Sequence, residues 1–218
     1  MTFNVLTIII LITVVVSINA FNNRSIMDRF MFNPYDVKHH KNHIRIAAHM
    51  LIHADYMHLG FNMMALYFLG SIFLDVPCNT YQDVDCGLIQ SFGNGMGQMH
   101  FVTLYILGGL FATVIPYLRN QDNPSYRSLG ASGAVSAVIF GAILWNPGMP
   151  LNLLFIPIAI PAYIFGPLYL FFEFLMDKRG GTGIAHDAHI GGALFGIIYV
   201  LIINIDKGKE FVDYIFNF

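Results

Sequence analysis

Long uncharged runs alternate with short polar stretches along this chain. The first run, Val5–Ala20, consists of Ile, Val, Leu and small residues without a charge. Further apolar runs occupy about 58–74, 99–118, 132–145, 158–176 and 189–205. Roughly 17–25 mostly apolar residues cross a hydrocarbon core of about 30 Å as one helix. The pattern therefore predicts six membrane helices in a single domain spanning 1–218, with a polar first loop over 21–57. The fourth run, Ser132–Trp145, is short. A helix that starts below the membrane surface implies a wet cavity above it, because non-helical backbone at that depth must be buried or hydrated. Pro161 and Pro167 interrupt the fifth run, and each removes a backbone donor and favours a kink.

Composition supports the membrane reading. Hydrophobic residues make up 56% of the chain, charged residues 11%, and mean hydropathy is +0.61; soluble domains carry about 25% charge. A disordered chain, a coiled coil, a disulfide scaffold and an ordinary soluble enzyme are excluded. A net charge of −2 offers no footprint for nucleic acid. No Lys or Arg precedes the first run, and Ile18 is too large for the −3 position of an Ala-x-Ala cleavage site, so residues 1–20 read as a retained helix. The loop over 75–98 carries Cys78 and Cys86 with Asp75, Asp83 and Asp85. A bond between these cysteines requires an oxidising compartment on that side.

Three polar places fall where lipid penalises them, which makes each a candidate site. Ser132 stands between Gly130-Ala131 and Gly133 at the start of the fourth run. A serine there has unpaired backbone N–H groups beside its hydroxyl, as an acyl-transfer nucleophile needs; the same small residues, continued by Ser136, Ala137 and Gly141, also suit close helix packing. His189 opens the last run, followed by Gly191, Gly192 and Gly196. It can serve as a general base near neutral pH or cap a helix end. With His186 it forms half a metal site that no cysteine or carboxylate cluster completes. His53, His58 and Asn62 enter the second run, with His58 and Asn62 four apart on one helix face. Both can donate to an anionic oxygen, or simply to another helix.

In this order and spacing the three places resemble the rhomboid family of intramembrane serine proteases. His53-Ala-Asp-Tyr-Met-His58-Leu-Gly-Phe-Asn62 is similar to that family's histidine-rich entry to its second helix. Gly130-Ala-Ser132-Gly133 matches its nucleophile motif, and Ala188-His189 with Gly192 and Gly196 matches its last helix. The resemblance implies an all-α, polytopic six-helix bundle with a short central fourth helix. It implies Ser132 as nucleophile, His189 as general base without a third carboxylate, and an oxyanion hole from His58, Asn62 and the Ser132 backbone N–H. Gly130, Gly133, Gly192 and Gly196 would pack helices at the site. No cofactor or metal is implied. The implied partners are the bilayer and transmembrane protein substrates, in a cell (inner) membrane, with lateral entry past the kinked fifth helix.

Two positions depart from the family pattern. Ser136 stands where an aromatic residue often packs on the catalytic imidazole, so the orientation of His189 must come from elsewhere. Ile44-Arg45 replaces a Trp-Arg pair in the first loop. Orientation is contested as well. Family topology places the serine toward the outside, and that is the expectation kept here. Yet nine of the eleven Lys and Arg residues lie on the serine's side (24, 29, 38, 41, 45, 119, 127, 178 and 179), with only Lys207 and Lys209 opposite, which the positive-inside rule assigns to the cytosol. Two other functions compete with proteolysis. One is a catalytically silent, client-binding relative, which would normally lack the serine or the histidine. The other is a small transporter or channel, disfavoured because Glu173, near a helix end, is the sole intramembrane carboxylate and no repeated pair of broken helices exists.

Overall fold

The computed structural model describes residues 4–78, 85–152 and 159–216. Asp83 and Ile158, named in the sequence reading, lie outside the described residues. The described chain is mostly helical. Helix α1 spans Val5–Asn22, and the first loop carries three short helices, α2 (Arg24–Phe30), α3 (Pro34–His39) and α4 (Arg45–Ala48). Helix α5 spans Tyr56–Asp75, α6 Leu88–Phe92, α7 Asn94–Ala112 and α8 Val114–Asn120. After α9 (Ser132–Trp145), strands β1 (Pro150–Asn152) and β2 (Ala159–Pro161) pair antiparallel, with Leu151 opposite Ile160. Helices α10 (Ala162–Arg179), α11 (His186–Ile203) and α12 (Asp206–Phe216) complete the order.

Among the described residues, four stretches are long and apolar enough to cross a membrane: Val5–Asn22, Tyr56–Asp75, Asn94–Asn120 and His186–Ile203. The protein is a multi-pass membrane protein. The fourth helix is short, as its sequence predicts, and lies at the centre. Nearly every residue of α9 is buried, packed among α5, α7 and α11. An apolar surface all round is what a helix enclosed by other helices requires.

The fifth helix differs from its expected bounds of 158–176. Residues 159–161 pair as a strand, and the helix runs from Ala162 to Arg179. The reason is local: a residue before proline is pushed out of the α region, so Ile160 is extended and Pro161 becomes the cap. Pro167 is carried inside α10.

The first loop braces the segment that delivers Ser132. Phe32 and Ser128 exchange backbone hydrogen bonds (2.8 and 3.1 Å), and Gly130 N–H donates to the His49 carbonyl at 3.0 Å. Arg45 holds that loop together. Its Nη1 donates to the carbonyls of Asp28 (2.7 Å) and Met31 (2.6 Å), and its Nη2 pairs with Asp36 at 3.1 Å. The missing tryptophan therefore does not deprive the loop of its guanidinium anchor.

His53 is part of this brace. Ala131 N–H donates to its Nε2 at 3.3 Å, so the neutral ring keeps its proton on Nδ1 and donates to Ser17 Oγ at 3.0 Å. Ser17 in turn donates to the Leu51 carbonyl. Burial, reinforced by the nearby His58, pushes His53 down to about 3, and burial pushes His49 down to about 4. In the unfolded chain both rings protonate near 6.5, whereas the folded protein holds them neutral. Between about pH 6.5 and 4 the unfolded state binds more protons, so stability falls with pH across that window and is flat above it. Each ring contributes about 1.4 kcal/mol per pH unit. Thermal melting in detergent should show a marked fall in Tm from about pH 7 to pH 4.5; a flat profile there would contradict the assignment of neutral rings.

Candidate active site

Ser132 is the first residue of α9, where backbone N–H groups lack intrahelical acceptors. Gly130, two residues earlier, has φ of 121°, and a Cβ there would stand 2.7 Å from His58 Cε1. Only glycine permits both that backbone and the approach of the His58 ring. Across from it, α11 presents His189 in its first turn. Ser132 Oγ and His189 Nε2 are 2.8 Å apart. The contact depends on a close crossing of α9 and α11: a Cβ on Gly192 would run into the Gly133 carbonyl, and one on Gly196 into that of Ala137.

Helix α5 supplies the third group. Asp55 caps it by accepting from His58 N–H at 2.8 Å, which places His58 in the first turn and Asn62 one turn below. Ala54 N–H donates weakly to His58 Nδ1 at 3.5 Å, leaving the proton of a neutral ring on Nε2. Asn62 Nδ2 donates to the His58 carbonyl at 2.9 Å, and an amide nitrogen has a second hydrogen to give. Ser132, His189, His58 and Asn62 all line one cavity of about 670 Å³. Its walls include Phe61 and Ala65 of α5, Val135 and Ile139 of α9, and Tyr169 of α10. The depth of a short fourth helix thus coincides with an open space, as its length implies.

His53 does not join this group. It is fully buried behind it, in the brace described above. Gly130 abuts the His58 ring of α5.

The residue that sequence reasoning passed over is Glu173 of α10. Its carboxylate is 4% exposed. Oε2 accepts from His186 Nδ1 at 2.6 Å and lies 3.1 Å from His189 Nδ1. The second contact is close but misaligned, and His189 Nδ1 makes no hydrogen bond. Tyr169, one turn before Glu173, lines the same cavity. Two signals in the sequence pointed this way: an intramembrane carboxylate is costly enough to be suspect by default, and Glu173 lies one turn from Tyr169.

Glu173, His186 and His189 hold donor atoms within 4.8 Å of one another, completing the cluster that sequence alone left at two histidines. The 2.6 Å contact is a hydrogen-bond length. Ligands about 2.1 Å from a shared tetrahedral metal stand about 3.4 Å apart, so the carboxylate and His186 are arranged for each other.

A rhomboid domain family matches residues 40–205. The chain is 26% identical over 194 residues to "RHOMBOID-like protein 12, mitochondrial" of Arabidopsis thaliana, covering 82% of this chain and 52% of that protein. It is 32% identical over 122 residues to "Presenilin-associated rhomboid-like protein, mitochondrial" of Bos taurus and of Homo sapiens, covering 50% of this chain and 30% of theirs. The chain therefore spans about half the length of the plant relative and less of the mammalian ones.

Proposed function

Because the chain belongs to the rhomboid family, we propose that it is an intramembrane serine endopeptidase that hydrolyses peptide bonds of transmembrane proteins. The observation that carries this reading is the 2.8 Å contact between Ser132 Oγ and His189 Nε2 at the floor of a cavity within the helix bundle. Ser132 gives its proton to His189 Nε2 as Oγ attacks the substrate carbonyl. The oxygen that becomes negative is met by the Ser132 backbone N–H, the His58 Nε2–H and the second Asn62 amide hydrogen. His189 then returns the proton to the leaving amine. Water entering the cavity hydrolyses the acyl-enzyme by the same exchange in reverse.

Substrate reaches this site from the lipid side. The cavity is walled by α5 and α10, and both helices turn large apolar side chains outward, Phe61 and Phe68 on α5 and Leu168, Phe171 and Phe172 on α10. A transmembrane substrate that unwinds near its end can enter between them as an extended strand. In reconstituted liposomes a labelled transmembrane substrate is expected to be cut by wild type and left intact by Ser132→Ala. Equal cutting by both would remove Ser132 from the mechanism.

The same reading includes an orientation. Cys78 and Cys86 are joined by a disulfide at the end of the bundle away from Ser132, where the Trp145 indole donates to the Cys86 carbonyl at 2.9 Å. Disulfides persist in oxidising compartments, and nine of eleven basic residues gather at the other end. Both favour a mouth of the active site on the reducing, cytosol-like side, opposite to the orientation first expected from family topology. The membrane proposed is a cell inner membrane; the matched relatives are mitochondrial by name. Reporter fusions after residues 90 and 205 should both report the oxidising side. Two reducing-side signals would restore the other topology.

A further inference from the structure

We infer that Glu173 is a positioning residue for His189, the third member of a Ser132–His189–Glu173 relay, with His186 holding the carboxylate in place. This rests on the reading of Ser132 and His189 as a proteolytic pair, and it departs from the two-residue machinery implied by the resemblance to the family.

Three observations carry it. His189 must present an unprotonated Nε2 to Ser132, so its remaining proton belongs on Nδ1. That Nδ1 is buried, and the Glu173 carboxylate lies 3.1 Å from it. A small rotation of either group aligns them, and catalytic hydrogen bonds are often poorly aligned before substrate arrives.

The carboxylate is also aimed from both sides. The proton on His186 Nδ1 goes to Glu173 Oε2, because His186 Nε2 faces the Thr182 hydroxyl at 2.9 Å. The Thr182 hydroxyl oxygen accepts from Ile184 N–H at 3.2 Å, so the chain of donors is consistent from the α10–α11 loop to the carboxylate. Its other neighbour is His189 Nδ1, 3.1 Å from the same oxygen.

Finally, an ionised glutamate this deeply enclosed costs several kcal/mol unless donors surround it. Joining α10 to α11 does not by itself call for a charge. A role that strengthens when His189 becomes positive does.

The proton accounting is simple. As Oγ attacks, the Ser132 proton moves to His189 Nε2. The Nδ1 proton stays on the ring and is shared with Glu173, which remains ionised throughout. The imidazolium then releases the Nε2 proton to the leaving amine. Glu173 therefore fixes the tautomer and ring plane of His189 and lowers the barrier to charging it, as a buried aspartate does behind other serine–histidine pairs.

The test uses the full chain in liposomes, with wild type compared to Glu173→Gln. A fluorophosphonate reports two quantities: its final extent counts folded sites, and its rate reports activation of Ser132. Glu173→Gln is expected to reach full labelling about a hundredfold more slowly, with kcat on a transmembrane substrate reduced alike and KM within about twofold. A merely structural role would lower the extent or raise KM while leaving the rate per folded site unchanged, and that result overturns the proposal.

Should Glu173→Gln fail to fold, ¹⁵N-histidine spectra of wild type decide the matter. The His189 signal, identified by its shift when Ser132 is phosphonylated, is expected to show the Nδ1-protonated tautomer; the Nε2-protonated form overturns the proposal. A wild type that neither labels nor cleaves defeats the proteolytic reading itself. A wild type that does both, beside an equally fast Glu173→Gln, defeats only the relay.

Discussion

His189→Ala should lose at least about 10⁴-fold in kcat on a transmembrane substrate while still folding. Without the imidazole, Ser132 is an ordinary alcohol whose proton has no acceptor, and at neutral pH an alcohol is a poor nucleophile. In serine–histidine enzymes the members of such a set act as a unit, so removing one costs nearly as much as removing both. The proposed oxyanion donors at His58, Asn62 and the start of α9 survive the substitution, so the residual rate should exceed that of uncatalysed hydrolysis. The side chain is mostly enclosed, at 13% exposure, and alanine at this helical position leaves the α9–α11 crossing intact, so the melting temperature should change little beside the activity. The double variant Ser132→Ala/His189→Ala should be no slower than either single one. Activity in His189→Ala within tenfold of wild type would exclude this ring as the base.

The second large effect concerns stability. Gly192 lies where α11 crosses α9 so closely that a Cβ would collide with the Gly133 carbonyl and its neighbouring backbone atoms. Backbone cannot swing aside as a side chain does, so the helices must separate, and the packing of both faces is lost along with the Ser132–His189 contact. Overpacking a rigid core typically costs 1–3 kcal/mol, and here the obstacle is main chain, so Gly192→Val should cost more than about 4 kcal/mol and leave no folded protein. Gly192→Ala should already lower Tm strongly and abolish labelling of Ser132. Gly60 provides the control: it lies in α5 with open space around its missing Cβ, and Gly60→Ala should leave Tm unchanged or raise it, since alanine is the better helix former. Comparable melting of Gly192→Ala and Gly60→Ala would contradict the close crossing.

Much of this site is legible in the sequence because its parts are local. Ser132 among glycines, His58 and Asn62 one turn apart, and His189 ahead of Gly192 and Gly196 are short patterns, each tied to one helix start. The apolar runs give the helices themselves, and the short fourth run implies the cavity that its Ser132 lines. What sequence does not show is which helix faces which. Glu173 stands four residues before Asp177, near a helix end, and its spacing fits a solvated or headgroup-facing carboxylate as well as a buried one. Only the packing of α10 against α11, across the glycine-rich 180–183 loop, turns it onto His186 and His189. The same holds for His53, whose motif position suggests the pocket while its ring points to Ser17 and Ala131. Helix α12, beyond the last apolar run, is too charged to read as a span, and its Lys207 is tied to Asp85 and Glu210 at the end opposite the active site.

The orientation contest has the same origin. Basic residues are counted from sequence, but their meaning changes once Cys78–Cys86 stands at the opposite end of the bundle. Each argument alone is statistical; together they point the same way.

Covalent capture is the sharpest test of Ser132 as a nucleophile made reactive by its place in the fold. Folded wild-type protein in liposomes is treated with a fluorophosphonate, and the modified peptide is located by mass spectrometry. One adduct per chain is expected, on Ser132, formed rapidly in wild type and suppressed in His189→Ala. Folded wild type that stays unmodified at Ser132, or that reacts there no faster than His189→Ala, would contradict it.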